Sequence, residues 1–126
     1  MKSKLYVLED VFTIHRFPPD NEIPIWLFDG PFCHITKTVD EISVICSSSV
    51  QLNSTKSETG WSCIKVLGPL DLNLTGLLAD VLKVLAKINI SVIALSTYDT
   101  DYILVKSEKI NNPIQALRQA EYPFEQ

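Results

Sequence analysis

Gly68-Pro69-Leu70-Asp71-Leu72-Asn73-Leu74-Thr75-Gly76 and, about twenty-five residues further on, Ser96-Thr97-Tyr98-Asp99-Thr100-Asp101-Tyr102 are the stretches that decide the fold. The first reads as a turn that feeds a helix. The second reads as a polar loop between two apolar strands. Before them, residues 62–67 alternate and predict a strand with Ile64 and Val66 on one face. Gly68-Pro69 breaks that strand. Leu77, Leu78, Val81, Leu82, Val84, Leu85 and Ile88 then recur at helical spacing, with Asp80, Lys83 and Lys87 opposite them. This predicts an amphipathic helix over 75–88, with Leu82 in the middle of its apolar stripe. Asn73 or Thr75 supplies its amino-terminal cap. The run 90–95, apolar apart from Ser91, predicts a central strand covered on both faces, and 102–105 a further strand. Asn112-Pro113 makes a cap and first-turn pair, followed by Ile114, Leu117 and Ala120 at helical intervals. The order is β-α-β-β-α, with at most a stub of a final strand at 122–124. That is the split βαβ, ferredoxin-like motif, and it puts both polar segments at one end of the sheet.

The first half reads as a worn copy. Residues 5–8 and 11–17 predict strands, joined as a hairpin about Glu9-Asp10. Residues 23–28 are a short apolar piece between prolines. Residues 32–37 and 42–46 predict a strand pair, and 47–52 a second helix reduced to about a turn. A shift of sixty residues lays Ile35-Thr36 on Leu95-Ser96 and 42–45 on 102–105, so the repeat rests on pattern. The polar run 53–60, Asn-Ser-Thr-Lys-Ser-Glu-Thr-Gly, reads as a linker. Trp26, Phe28 and Trp61 are assigned to structure, Trp61 to the seam between the halves.

Composition narrows the function. A chain of 126 residues is one domain or two small ones. The net charge is −4 and the eleven Lys and Arg are scattered, so no basic stripe is present for nucleic acid. Asp80, Lys83 and Lys87 interrupt the most apolar region, which excludes a membrane span there. Glu9 and Asp10 cut short a start that otherwise resembles a signal peptide. Cys33, Cys46 and Cys63 lack metal spacing and fit buried free thiols in a reducing cytoplasm. The glycosylation-type sequons at Asn53, Asn73 and Asn89 are read as chance matches. His15 and His34 stand alone, and Cys33 and His34 point to opposite faces of one strand. Ser47-Ser48-Ser49 lacks an elbow motif, and four glycines form no phosphate-cradling loop. Asp99-Thr100-Asp101 offers two carboxylates, too few for a divalent metal. No catalytic residue, metal or cofactor is expected.

Gly68-Pro69-Leu70, Leu74-Thr75-Gly76-Leu77-Leu78 and the run from Ile93 to Val105 resemble the ACT-domain superfamily, in particular tandem-ACT proteins related to the ACT domains of CASTOR arginine sensors. A weaker echo runs from Ile35-Thr36-Lys37-Thr38 through Glu41-Ile42-Ser43-Val44-Ile45-Cys46. The resemblance is close over 61–107 and looser over 30–46. It implies an α+β fold of two ferredoxin-like (βαββαβ) ACT subdomains, residues 1–60 (truncated) and 61–126. It also implies assembly in pairs and an amino-acid pocket where a strand–helix loop meets a neighbouring strand. The first half departs from the pattern. Pro18-Pro19-Asp20-Asn21-Glu22 and a six-residue piece stand where a Gly-rich turn and long helix belong, so no second pocket is expected there.

Physical chemistry supports the same pocket. A helix amino end offers free N–H groups and partial positive charge to a carboxylate. Asp99 offers a counter-charge to an amino group, and Ser96 and Thr97 offer hydroxyls. The ligand-binding candidates are Leu70, Asp71, Asn73, Leu74, Thr75, Gly76, Ser96, Thr97, Tyr98 and Asp99. A purely structural reading also fits: Gly68 ends a strand, Gly76 lets helix and sheet pack, and Asp and Thr populate turns. The expected role is a non-catalytic, cytoplasmic regulatory or sensor protein that binds a free amino acid and forms a homodimer. The runner-up is a pocketless ACT pair acting as an interaction module.

Overall fold

The alternation at 62–67 is the second half of a longer strand. The structure, a computed structural model, describes residues 2–67 and 76–125. In chain order it contains β1 (Leu5–Val7), β2 (Phe12–Phe17), a 3-10 turn (Ile25–Asp29), β3 (Cys33–Lys37), β4 (Ile42–Ser47) and β5 (Lys56–Val66). There follow α1 (Leu77–Lys87), β6 (Ile93–Ser96), β7 (Asp101–Lys106), a 3-10 turn (Ser107–Lys109), α2 (Asn111–Gln119) and β8 (Phe124–Glu125). The contacts divide the chain into two compact units, Met1–Glu9 with Trp61–Gln126, and Asp10–Gly60.

In the first unit the strands run β6-β7-β5-β1-β8. β1 does not form a hairpin with β2. It lies antiparallel to β5, with Leu5 opposite Val66, and parallel to β8, with Leu5 opposite Phe124. The hairpin reading failed because Glu9-Asp10 looks like local turn chemistry, whereas Leu5 is fully buried in the core of the other half. The stub at 122–124 is a paired edge strand, Phe124–Glu125, so that side of β1 is occupied. On one face Ile64, Val66, Ile103 and Val105 pack with Val81 and Leu85 of α1 and Leu117 of α2. Each such fully buried aliphatic side chain contributes roughly 1.5–3 kcal/mol. Cys63 and Leu104, opposite one another in the ladder, are buried on the other face. The pair covered on both faces is therefore β5–β7. β6 pairs only with β7 among the described strands and leaves Ala94 exposed, so the apolar run 90–95 is an edge and not a centre.

Helix ends show what the pattern missed. Gly76 itself occupies the α1 cap position at φ +87°, with no side-chain cap bond. An added Cβ there would meet nothing within 4 Å among the described residues, and the left-handed backbone calls for glycine. Asn73 and Thr75 lie outside the described residues. The buried stripe of α1 centres on Val81 and Leu85, and Leu82 is half-buried beside it. α2 starts at Asn111, so Asn112 is not its cap and no side chain caps that end. Both helices close with the same left-handed motif. Ile90 and Asn89 N–H donate to the Leu85 and Ala86 carbonyls, with Asn89 at φ +58°. Tyr122 and Glu121 N–H donate to the Leu117 and Arg118 carbonyls, with Glu121 at φ +74°. This directs Tyr122 back to α1, where its hydroxyl donates to the Asp80 carboxylate. Lys2 Nζ lies 3.6 Å from Asp80 and 4.7 Å over the Tyr122 ring.

In the Asp10–Gly60 unit β3, β4 and β2 are antiparallel neighbours, with the first part of β5 beside β2. The polar run 53–60 is a strand from Lys56 onward, not a linker. Residues 56–59 are exposed, so no hydrophobic alternation marks the strand. Its pairing shows instead in Thr55 N–H donating to the Arg16 carbonyl at 2.9 Å. The hydroxyls of Thr13, Ser48 and Thr59 also meet at 2.7–3.2 Å. Phe17, Leu27, Ile42, Val44 and Cys46 form the core. Only Leu27 of the 3-10 turn enters it. Trp26 and Phe28 stay 50% and 66% exposed.

Candidate functional site

β6 and β7 are joined by the turn 97–100, and its first residue builds it. Thr97 N–H and its hydroxyl both donate to the Thr100 carbonyl, at 2.8 and 3.1 Å. Thr100 N–H returns a bond to Thr97 Oγ1 at 3.3 Å. The Ser96 hydroxyl donates to the Asp101 carboxylate at 2.5 Å across the mouth of the turn. Ser96, Thr97 and Asp101 are thus committed to holding the loop. The tip residues Tyr98 and Asp99 are exposed, and the Asp99 carboxylate has no partner among the described residues.

The same turn occurs between β3 and β4. Thr38 N–H and hydroxyl donate to the Glu41 carbonyl at 2.9 and 3.4 Å, and Glu41 N–H donates to Thr38 Oγ1 at 3.2 Å. Thr38-Val39-Asp40-Glu41 corresponds to Thr97-Tyr98-Asp99-Thr100. The two hairpins therefore match at an offset of 59, one residue less than the sequence pattern gave (97 − 38 = 59).

One buried bond positions the later turn. Thr100 is 5% exposed and its hydroxyl donates to the Val66 carbonyl at 2.5 Å, at the carboxyl end of β5. Residues 68–75, outside the described part, separate the end of β5 from Gly76. The first amides of α1 follow, and they lack intrahelical acceptors by construction. Leu70, Asp71, Asn73, Leu74 and Thr75 lie outside the described residues. Gly76, Ser96, Thr97, Tyr98 and Asp99 are described, and the Thr100–Val66 bond ties the Asp99 turn to the strand that leads toward α1. The chemistry available is amide donors, hydroxyls and one uncommitted carboxylate.

The Asp10–Gly60 unit holds a concavity of about 550 Å³ where no pocket was expected. It is lined by Ile14, Arg16, Glu41, Ser43, Lys56 and Glu58, among others. Sequence reading missed it because its residues come from three strands, one of them taken for a linker. His15 also borders it. The His15 ring is buried, with Nδ1 2.9 Å from Ser54 Oγ and no partner at Nε2 among the described residues. Desolvation lowers its pKa below 6.5 and favours the neutral ring. Burial pushes the Cys63 thiol up to about 12, leaving it a poor nucleophile near neutrality.

An ACT domain model matches residues 56–119, and a separate model for an N-terminal domain matches residues 10–50. No curated protein matches the chain. A crystal structure of an Agrobacterium tumefaciens protein is 30% identical with a TM-score of 0.89, over 99% of this chain and 93% of that one. A Vibrio cholerae protein of unknown function, described as a possible transport protein, is 20% identical over 92% of this chain and 88% of its own, with a TM-score of 0.71. Escherichia coli aspartokinase III, solved with aspartate and ADP, is 14% identical over 91% of this chain and 32% of its own, with a TM-score of 0.64. The last two likenesses show the fold alone. With the model spanning more than half of its residues, in a mixed α+β fold of sheet and two helices, the chain belongs to the ACT domain family.

Proposed function

We propose that this chain is a non-catalytic regulatory protein that binds a free amino acid. The observation that carries the reading is the ACT domain match over 56–119, which spans both the α1 amino end and the Asp99 turn. The ligand carboxylate meets the first amides of α1, beside Leu74, Thr75 and Gly76, with Leu70, Asp71 and Asn73 in the same loop. Its amino group or cationic side chain faces Asp99 beside Tyr98, on a turn that Ser96 and Thr97 hold in shape. Each end of a zwitterion then has an oppositely polarised partner. The repeated turn at 38–41 and 97–100 supports reading the chain as a tandem ACT protein, similar in kind to CASTOR-type sensors. In that reading the truncated first subdomain lies in residues 10–60, and 61–126 together with β1 form the second.

The protein acts as a homodimer in the cytoplasm. No helix among the described residues is long and apolar enough to cross a membrane. Among the described strands β6 pairs with β7 alone, which fits strand-edge assembly. Light scattering at micromolar concentration distinguishes one chain from two. A thermal-shift screen against the common amino acids tests the ligand. At a hundred times its dissociation constant the ligand adds ~2.7 kcal/mol to stability. A screen with no shift for any amino acid overturns the reading.

A further inference from the structure

The β3–β4 hairpin sets two cysteines opposite one another on the core side of its unit. Thr38 and Glu41 form a hydrogen-bonded pair through Thr38 N–H and the Glu41 carbonyl. Antiparallel pairs alternate, so Lys37 opposite Ile42, Ile35 opposite Val44 and Cys33 opposite Cys46 are non-hydrogen-bonded pairs. Such pairs place their Cα atoms ~4.5 Å apart with side chains close together. A disulfide needs a Cα separation of ~4.4–6.8 Å. Cys33 also packs against the core cluster that contains Cys46, so both side chains lie on one face. Cys46 is 1% exposed and Cys33 is partly exposed, and both are free thiols in this structure.

We propose that Cys33 and Cys46 are an oxidisable dithiol, converted by a peroxide-class oxidant into an intrachain disulfide that staples β3 to β4. The Cys33 sulfur attacks one peroxide oxygen and the O–O bond breaks. The departing oxygen leaves as water with the thiol proton, and Cys33 becomes a sulfenic acid. The Cys46 sulfur then attacks the Cys33 sulfur and the S–O bond breaks. That hydroxyl leaves as water with the Cys46 proton. Two thiols and one hydrogen peroxide give one disulfide and two waters. Exposure sets the order, because an oxidant reaches Cys33 and not Cys46. Burial raises the pKa of Cys33 and pushes Cys46 up to about 11, so the reaction is slow and answers sustained oxidant. The closed loop restricts the unfolded chain, so the oxidised protein is the more stable form.

The test treats the full chain with hydrogen peroxide, alkylates the remaining thiols and maps the unreduced tryptic peptides by mass spectrometry. Cleavage after Lys37 separates Cys33 from Cys46, so a linked pair of peptides reports the bond directly. The expected result is a Cys33–Cys46 link that dithiothreitol reverses, with a raised Tm in the oxidised protein and Cys63 still alkylatable after denaturation. In Cys46→Ala the link and the Tm rise are lost and Cys33 stops at sulfenic or sulfinic acid. Cys33 over-oxidised in the parent protein without a link, or joined instead between chains, overturns the proposal.

Discussion

Thr100→Val tests the bond that joins the Asp99 turn to the rest of the fold. The substitution keeps the shape of the side chain and removes its hydroxyl. Val66 is fully buried, so its carbonyl loses the Thr100 donor where water does not easily replace it. Leaving a buried acceptor unsatisfied costs ~1–3 kcal/mol. The bonds that close the turn itself use Thr97 and the Thr100 backbone, so they survive in the variant. The loss is therefore confined to the tether. Thr100→Ser keeps the donor and loses only a methyl group, so it retains most of the stability. Urea denaturation followed by far-ultraviolet circular dichroism measures all three proteins. A Thr100→Val protein within ~0.3 kcal/mol of the parent, well below the cost of an unmet buried carbonyl, refutes the tether. So does a Thr100→Ser protein as weak as Thr100→Val.

Leu85→Ala should cost ~2–5 kcal/mol, because Leu85 is fully buried between α1 and the sheet. Leu82→Ala should cost clearly less, and equal losses in chemical denaturation would mean that the buried stripe is misplaced. Burial depresses the His15 pKa, so the unfolded chain takes up a proton near 6.5 that the folded chain refuses. Stability should then be full above that pH and fall as the pH drops from 6.5 toward the folded pKa. His15→Gln should flatten that slope in melts across the window, and an unchanged slope assigns it to other groups.

Local signals were legible in the sequence where one face of an element is buried and the other is wet. The spacing of Val81 and Leu85 located α1, and the alternation ending at Ile64 and Val66 located the second half of β5. The Thr97 and Asp99 turn announced itself through its polar residues between two apolar runs. Three kinds of information were out of reach. Pairing at long range was one: nothing near Leu5 shows that it belongs beside Val66 and Phe124 and not beside β2. Strands with exposed faces were another, since residues 56–59 carry no alternation and look like a linker. The third was edge against centre. The run 90–95 is apolar apart from Ser91, yet β6 has one strand partner among the described strands, and β5 of the doubly covered pair includes polar Ser62 and Lys65. The Cys33–Cys46 row likewise appears only once the hairpin register is known.

Calorimetric titration of the parent protein and of Asp99→Asn, with the amino acid that shifts Tm most, tests the binding proposal most directly. Asn replaces Asp well in a turn, and Asp99 makes no bond among the described residues, so the variant should fold and melt like the parent. The predicted result is one saturable site in the parent and an affinity weaker by ~1.5–3 kcal/mol in Asp99→Asn, the value of a hydrogen bond to a charged group. Equal affinities would remove Asp99 from the site, and a parent that gives no binding heat with any amino acid would contradict the proposed function.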